Sequence, residues 1–153
     1  MNGNHTRNQA NRRARVLVAL KQEDYAPAML NHAKTIAADG AKLWVVHVLE
    51  RSSDVEDATL MEQLEEAEAW LREALTEARL GGGAQPLVVV GAPAEEIVSA
   101  VRALDAEILL LGAGSPGPGQ PTPGAGVGKA VQMNAPCAVV FYDLRTDRPV
   151  KAP

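Results

Sequence analysis

The chain has 153 residues, of which 46% are hydrophobic and 22% charged, with a formal net charge of −4. That length suits one domain burying about two-thirds of its unfolded surface, so no metal or disulfide is needed to hold a core. The single cysteine, Cys137, excludes an internal disulfide and fits a reducing, cytoplasmic setting.

No stretch approaches the ~20 apolar residues of a membrane span. The opening residues lack the apolar segment of a secretory signal. Aromatic residues make up only 3%, so Ala, Val, Leu and Ile must fill the core, which suits helices layered on a parallel sheet. Residues 1–15 carry Arg7, Arg12, Arg13 and Arg15 and no acid, which leaves −8 for the remainder. Four arginines without interleaved aromatics predict a flexible, solvated arm over residues 1–13, and nucleic acid is not expected as a partner.

Residues 15–20, RVLVAL, predict a buried first strand. Lys21 to Asp24 is a polar turn, and Pro27 suits the first turn of a helix, where its missing N–H costs nothing. Ala26, Met29, Leu30, Ala33, Ile36 and Ala37 keep a helical period that stops at Gly40. Residues 42–49, KLWVVHVL, predict a second buried strand.

Residues 55–80 predict the longest helix. Its apolar stripe is Leu60, Met61, Leu64, Ala67, Leu71, Ala74, Leu75 and Ala78, its other face acidic and solvated, and Gly81 to Gly83 end it. Residues 86–90 predict strand three. Gly91-Ala92-Pro93 then turns into a proline-led helix whose first turn holds Glu95 and Glu96, favourable to the helix dipole. Ile97, Val98, Val101 and Leu104 face inward from it. Residues 107–111 predict strand four, 126–134 a short helix with Val127, Ala130 and Val131 inward, and 137–142 strand five. Residues 144–153 are expected to be a polar tail. The order βαβαβαβαβ with right-handed crossovers predicts an α/β, doubly wound, Rossmann-like parallel sheet of five strands, with helices on both faces.

The glycine- and proline-rich loop after strand four occupies the carboxyl end of the sheet, where ligands of open parallel sheets bind. Gly112-Ala-Gly114-Ser-Pro-Gly117 matches the dinucleotide fingerprint G-x-G-x-x-G. That fingerprint needs a helix at once and belongs in the first βα turn, whereas Pro116, Pro118, Pro121 and Pro123 follow here. Gly128-Lys129 fits a phosphate loop of the Walker type no better. Pro123 stands where its first glycine belongs and Ala130 where its hydroxyl belongs, leaving Lys129 a surface lysine.

VHVLE at 46–50, GAPAEEI at 91–97, LLLG at 109–112 and NAPCAVV at 134–140, in this order, resemble the universal stress protein (UspA) family over residues 14–143. The resemblance implies strand order 3-2-1-4-5 and a homodimer, in many members through strand five, here Cys137 to Tyr142. Members that bind ATP carry G-x2-G-x9-G-(S/T) after strand four and an Asp after strand one. Those positions fall on Gly112, Ser115, Ala125 and Gly126, and on Lys21. The spacing is kept while only Gly112 agrees. Val48 and Val127 match two further valines of the family site. The implied crevice is therefore Lys21, Val48, Gly112, Ser115, Gly126 and Val127.

The prolines supply no N–H to a phosphate, Ala125 adds a methyl group, Gly126 lacks a hydroxyl, and Lys21 replaces an acceptor with a cation. Free N–H groups at Gly126 to Gly128 and the charge of Lys21 favour an anion. The reading that results is a non-catalytic stress-response or regulatory binding protein with a degenerate nucleotide loop. The alternative is a sensor binding ATP, ADP or AMP.

Elsewhere the candidates are weak. Cys137 has no basic neighbour in sequence and is read as a structural thiol. His47 is read as a satisfied core or edge histidine, and His5, His32 and His47 have no metal-ligand spacing. Trp44 and Trp70 are packing residues. No Ser-His-Asp or paired-carboxylate set is present, so no catalysis is expected.

Overall fold

A computed structural model describes residues 14–21, 27–37, 41–50, 54, 56–80, 82–113, 127–143 and 148–149. In chain order these form β1 (Arg15–Ala19), α1 (Pro27–Ile36), β2 (Lys42–Leu49), α2 (Asp57–Glu77), β3 (Ala84–Val90), α3 (Pro93–Leu104), β4 (Ile108–Ala113), α4 (Val127–Asn134), β5 (Ala138–Asp143) and β6 (Arg148–Pro149). The sheet order is β3-β2-β1-β4-β5-β6. The first five strands are parallel, in the order 3-2-1-4-5 that the resemblance implies.

The sheet is covered on both faces because its strands alternate two sets of aliphatic side chains. Val16, Val18, Leu43, Val45 and Leu110 face Met29, Leu30 and Ala33 of α1 and Leu71, Ala74 and Leu75 of α2. Leu17, Trp44, Val46, Leu109 and Leu111 face Ile97, Val98 and Val101 of α3 and Val131 of α4. Each fully buried Leu or Val contributes about 1.5–3 kcal/mol. Pro86 stands opposite Val45 within β3, an edge strand, where a missing N–H is tolerated.

Expectations for α2 and for the C-terminal tail need correction. The apolar stripe of α2 is buried only from Ala67 onward; Leu60 and Leu64 are half-buried, and Met61 is 57% exposed. A helix of 21 residues runs about 31 Å, whereas the seven residues of β3 span about 23 Å, so the first turns outreach the sheet.

The glycines at 81–83 do not end α2. Arg79, in the left-handed conformation at φ 60°, does so. The Leu80 N–H reaches back to the Leu75 carbonyl at 2.7 Å, and Leu80 is buried beneath the end of the helix. Asp105, at φ 53°, closes α3 in the same way, with the Ala106 N–H on the Val101 carbonyl at 2.9 Å.

Within the expected polar tail, Arg148 and Pro149 pair antiparallel with Asp143 and Tyr142. A short sixth strand thus borders β5.

The amino end of the sheet is tied by polar side chains. Arg15 Nε donates to the Leu104 carbonyl, the last of α3, at 2.8 Å, and its guanidinium lies 5.2 Å from the centre of the Trp44 ring. Trp44 Nε1 donates in turn to Gln85 Oε1 at 3.0 Å. On the opposite face, Lys34 Nζ donates to the Ala78 carbonyl at 3.1 Å, a favourable place for a cation at the end of α2.

Candidate functional site

The site follows from the topology. β1 lies between β2 and β4. The chain leaves β1 toward α1 on one face and returns from β4 toward α4 on the other. The helices that follow β1 and β4 lie on opposite faces, which makes the carboxyl ends of these two strands the switch point of a doubly wound sheet, the place where ligands of such sheets bind.

Leu20, buried in the core, links the end of β1 to Lys21. Its N–H donates to the Val46 carbonyl at 2.9 Å, and its own carbonyl accepts a 2.8 Å bond from Nδ1 of His47. Both polar groups of the Leu20 backbone are therefore held by consecutive residues of β2. His47 is buried, with 7% of its surface exposed, and its ring meets Trp70 of α2 edge-on at 5.3 Å. The carbonyl partner requires the proton on Nδ1. The expectation of a satisfied core histidine is met, and the partner is the residue immediately before Lys21.

Lys21 stands exposed at the mouth of β1. Val48 lies half-buried near the end of β2, and Gly112 is exposed near the end of β4. Strand order thus brings three of the six implied residues to one end of adjacent strands. Val127, expected to face inward, is instead 41% exposed where it opens α4, and the adjoining Gly128 sits where a Cβ would lie 3.1 Å from the Phe141 ring. Ser115 and Gly126, with all the other residues from 114 to 126 between β4 and α4, lie outside the described residues. Lys129 is exposed, as expected of a surface lysine.

Gly91 ends β3, with its N–H on the Leu49 carbonyl at 3.1 Å and φ at 155°. A Cβ there would lie 2.6 Å from Glu96 Oε1, so Glu96 folds back over the turn that opens α3. Sequence reasoning placed a turn at Gly91 without finding this contact. The signal was available in the spacing: a glycine five residues before a first-turn glutamate allows that side chain to reach back.

A groove of about 560 Å³ runs between α3 and α4, with Ala94, Val98 and Ala130 among its lining residues. Of the described crevice candidates, Lys21, Val48, Gly112 and Val127, none lines it. Cys137 is half-buried and precedes β5 rather than opening it, and burial raises its thiol pKa above the ordinary value. Among the described residues no three His, Cys, Asp or Glu side chains converge as metal ligands, and no helix is long and apolar enough to cross a membrane.

A doubly wound α/β domain with its candidate residues gathered at the switch point is the class these features define. The sequence pattern of the universal stress protein family matches residues 12–142, and the chain belongs to that family. The structure is similar to the universal stress protein of Archaeoglobus fulgidus, with 23% identity, TM-score 0.66, and 85% of this chain and 98% of that chain covered. It is also similar to UspA of Lactobacillus plantarum, with 24% identity, TM-score 0.64, and 86% and 99% covered.

The Archaeoglobus fulgidus protein in complex with dAMP matches at 21% identity and TM-score 0.58, over 85% and 97% of the two chains. Matching structures also include a universal stress protein in complex with cAMP and a family protein of Arabidopsis thaliana with AMP bound. No curated protein matches the sequence.

Proposed function

We propose that the chain is a non-catalytic stress-response or regulatory binding protein whose nucleotide crevice has been altered. The observation that carries this reading is Lys21, exposed at the mouth of β1 where the resemblance calls for an acid near adenine. A carboxylate accepts hydrogen bonds, whereas an ammonium only donates them, so the edge of an adenine would lose its partner. The departures at Ser115, Ala125 and Gly126 from the family loop point the same way. The protein would act in the cytoplasm, a setting its single thiol suits.

A second reading is favoured by a specific observation. Solved family structures hold dAMP, cAMP or AMP, and Gly112 is retained on β4. In this reading the chain is a sensor for ATP, ADP or AMP, and Lys21 meets a phosphate rather than the base.

A homodimer through strand five accompanies either reading. Support comes from the apolar character of β5, whose residues Val139 to Phe141 are half-buried, while the short β6 borders only its last two residues.

Two measurements separate the readings: mass analysis of small molecules released from the purified protein, and calorimetry with ATP, ADP and AMP. Binding at micromolar affinity would overturn the altered-crevice reading; its absence would overturn the sensor. Should a nucleotide bind, Lys21→Asp will change its affinity, and an unchanged affinity would remove Lys21 from the site.

A further inference from the structure

The geometry points to a second interaction surface, the groove between α3 and α4, whose occupant is the α3 helix of a second copy of this chain. This goes beyond strand five, since Glu95, Ser99 and Arg102 all lie on α3.

The argument begins with spacing. Glu95, Ser99 and Arg102 stand at i, i+4 and i+7 and form one exposed stripe of α3. All three line the groove. Its remaining walls include Ala94, Val98 and Ala130, small or short side chains that let another helix approach closely. Asn134, on the α4 side, donates its amide to the Ala130 carbonyl of its own helix at 2.7 Å.

Charge then selects the occupant. Glu95 is acidic and Arg102 basic, and the midpoint between them falls between Val98 and Ser99. Place a two-fold axis at that midpoint, perpendicular to α3, and an antiparallel copy sets its arginine level with Glu95 and its glutamate level with Arg102. Such an interface is isologous: one patch satisfies itself, and the Glu95–Arg102 contact forms twice. Among the described residues neither side chain has an ion-pair partner within the chain. Met133, 75% exposed on α4 next to Asn134, gains cover from the incoming helix. A charge-mirrored stripe flanked by an exposed methionine fits a copy of itself better than a partner of uniform charge.

The test is charge reversal on the full chain, read by sedimentation over the micromolar range at low salt. Glu95→Lys sets two cations against each other twice, and Arg102→Glu does the same with two anions. Each single variant is expected to weaken the responding association step about tenfold. The double variant Glu95→Lys with Arg102→Glu restores opposite charges and is expected to return to within about threefold of the parent.

Met133→Lys supplies an independent check and is expected to weaken the same step. Thermal unfolding of each variant establishes that the fold is intact, which the exposure of all three side chains favours. Single reversals without effect, a double variant that fails to recover, or a parent that stays monomeric over that range would each overturn the proposal.

Discussion

Nδ1 of His47 donates to the carbonyl of Leu20 across 2.8 Å of buried space, so β2 dictates where β1 ends and where Lys21 begins. Removing the donor leaves a buried carbonyl unpaired, which typically costs about 1–3 kcal/mol. His47→Leu keeps the bulk and loses the proton. Urea unfolding should show it less stable by that amount, and a change within error would mean that water replaces the histidine.

Gly91 should tolerate no side chain. Its φ of 155° and the mere 2.6 Å that would separate a Cβ from Glu96 Oε1 act together. Gly91→Ala is expected to lose about 1–3 kcal/mol. Combining it with Glu96→Ala separates the two causes, because the second change removes the clash and leaves the backbone strain. The double variant should recover part of the loss; full recovery would assign all of it to the glutamate.

Arg79 offers the opposite experiment. A non-glycine residue at φ 60° is held in a conformation that costs it roughly 1 kcal/mol. Arg79→Gly should therefore raise the melting temperature, by a stabilisation of about 0.5–1 kcal/mol. Asp105→Gly should gain less, since aspartate visits the left-handed region more readily. A fall in stability at position 79 would show that the arginine side chain contributes more than its backbone loses.

Cys137 sets a pH dependence of known sign. Burial raises its thiol pKa in the folded chain. The folded state therefore holds this proton more tightly than the unfolded one. The stability it contributes is complete below the unfolded pKa and is lost as pH rises through the folded value. Alkylation with iodoacetamide should run slower in the folded protein than in urea, with its rate climbing at a higher pH. Equal rates at every pH would place the thiol in open solvent.

Continuous apolar runs predict the five parallel strands, and helical periods the four helices, that the described residues show, because each carries its own pattern. VHVLE and NAPCAVV, read through the family they resemble, supplied the strand order that periodicity alone leaves open. What escaped reading depended on distant or weak local signals. Arg79 ends α2 because Leu80 finds a buried place, and three nearby glycines concealed that. Met61 matches the apolar stripe of α2 but lies where the helix has outrun the sheet. His47 was legible as a buried residue, yet its partner lies 27 positions away. Lys21, Val48 and Gly112 were legible as one end of the sheet because strand order alone places them there.

Pro149 pairs with Tyr142, and Arg148 with Asp143, along the border of β5 that faces away from β4. A partner strand seeking β5 therefore meets a competitor tethered to the same chain. A tether of a few residues presents that competitor at millimolar effective concentration, while a second copy arrives at micromolar. Proline, lacking an N–H, also gives an arriving strand little to extend. Assembly through β5 becomes a contest within one polypeptide, decided by the tail. Deleting residues 144–153 should tighten strand-five association in light scattering, and an unchanged association constant would mean that the border was open from the start.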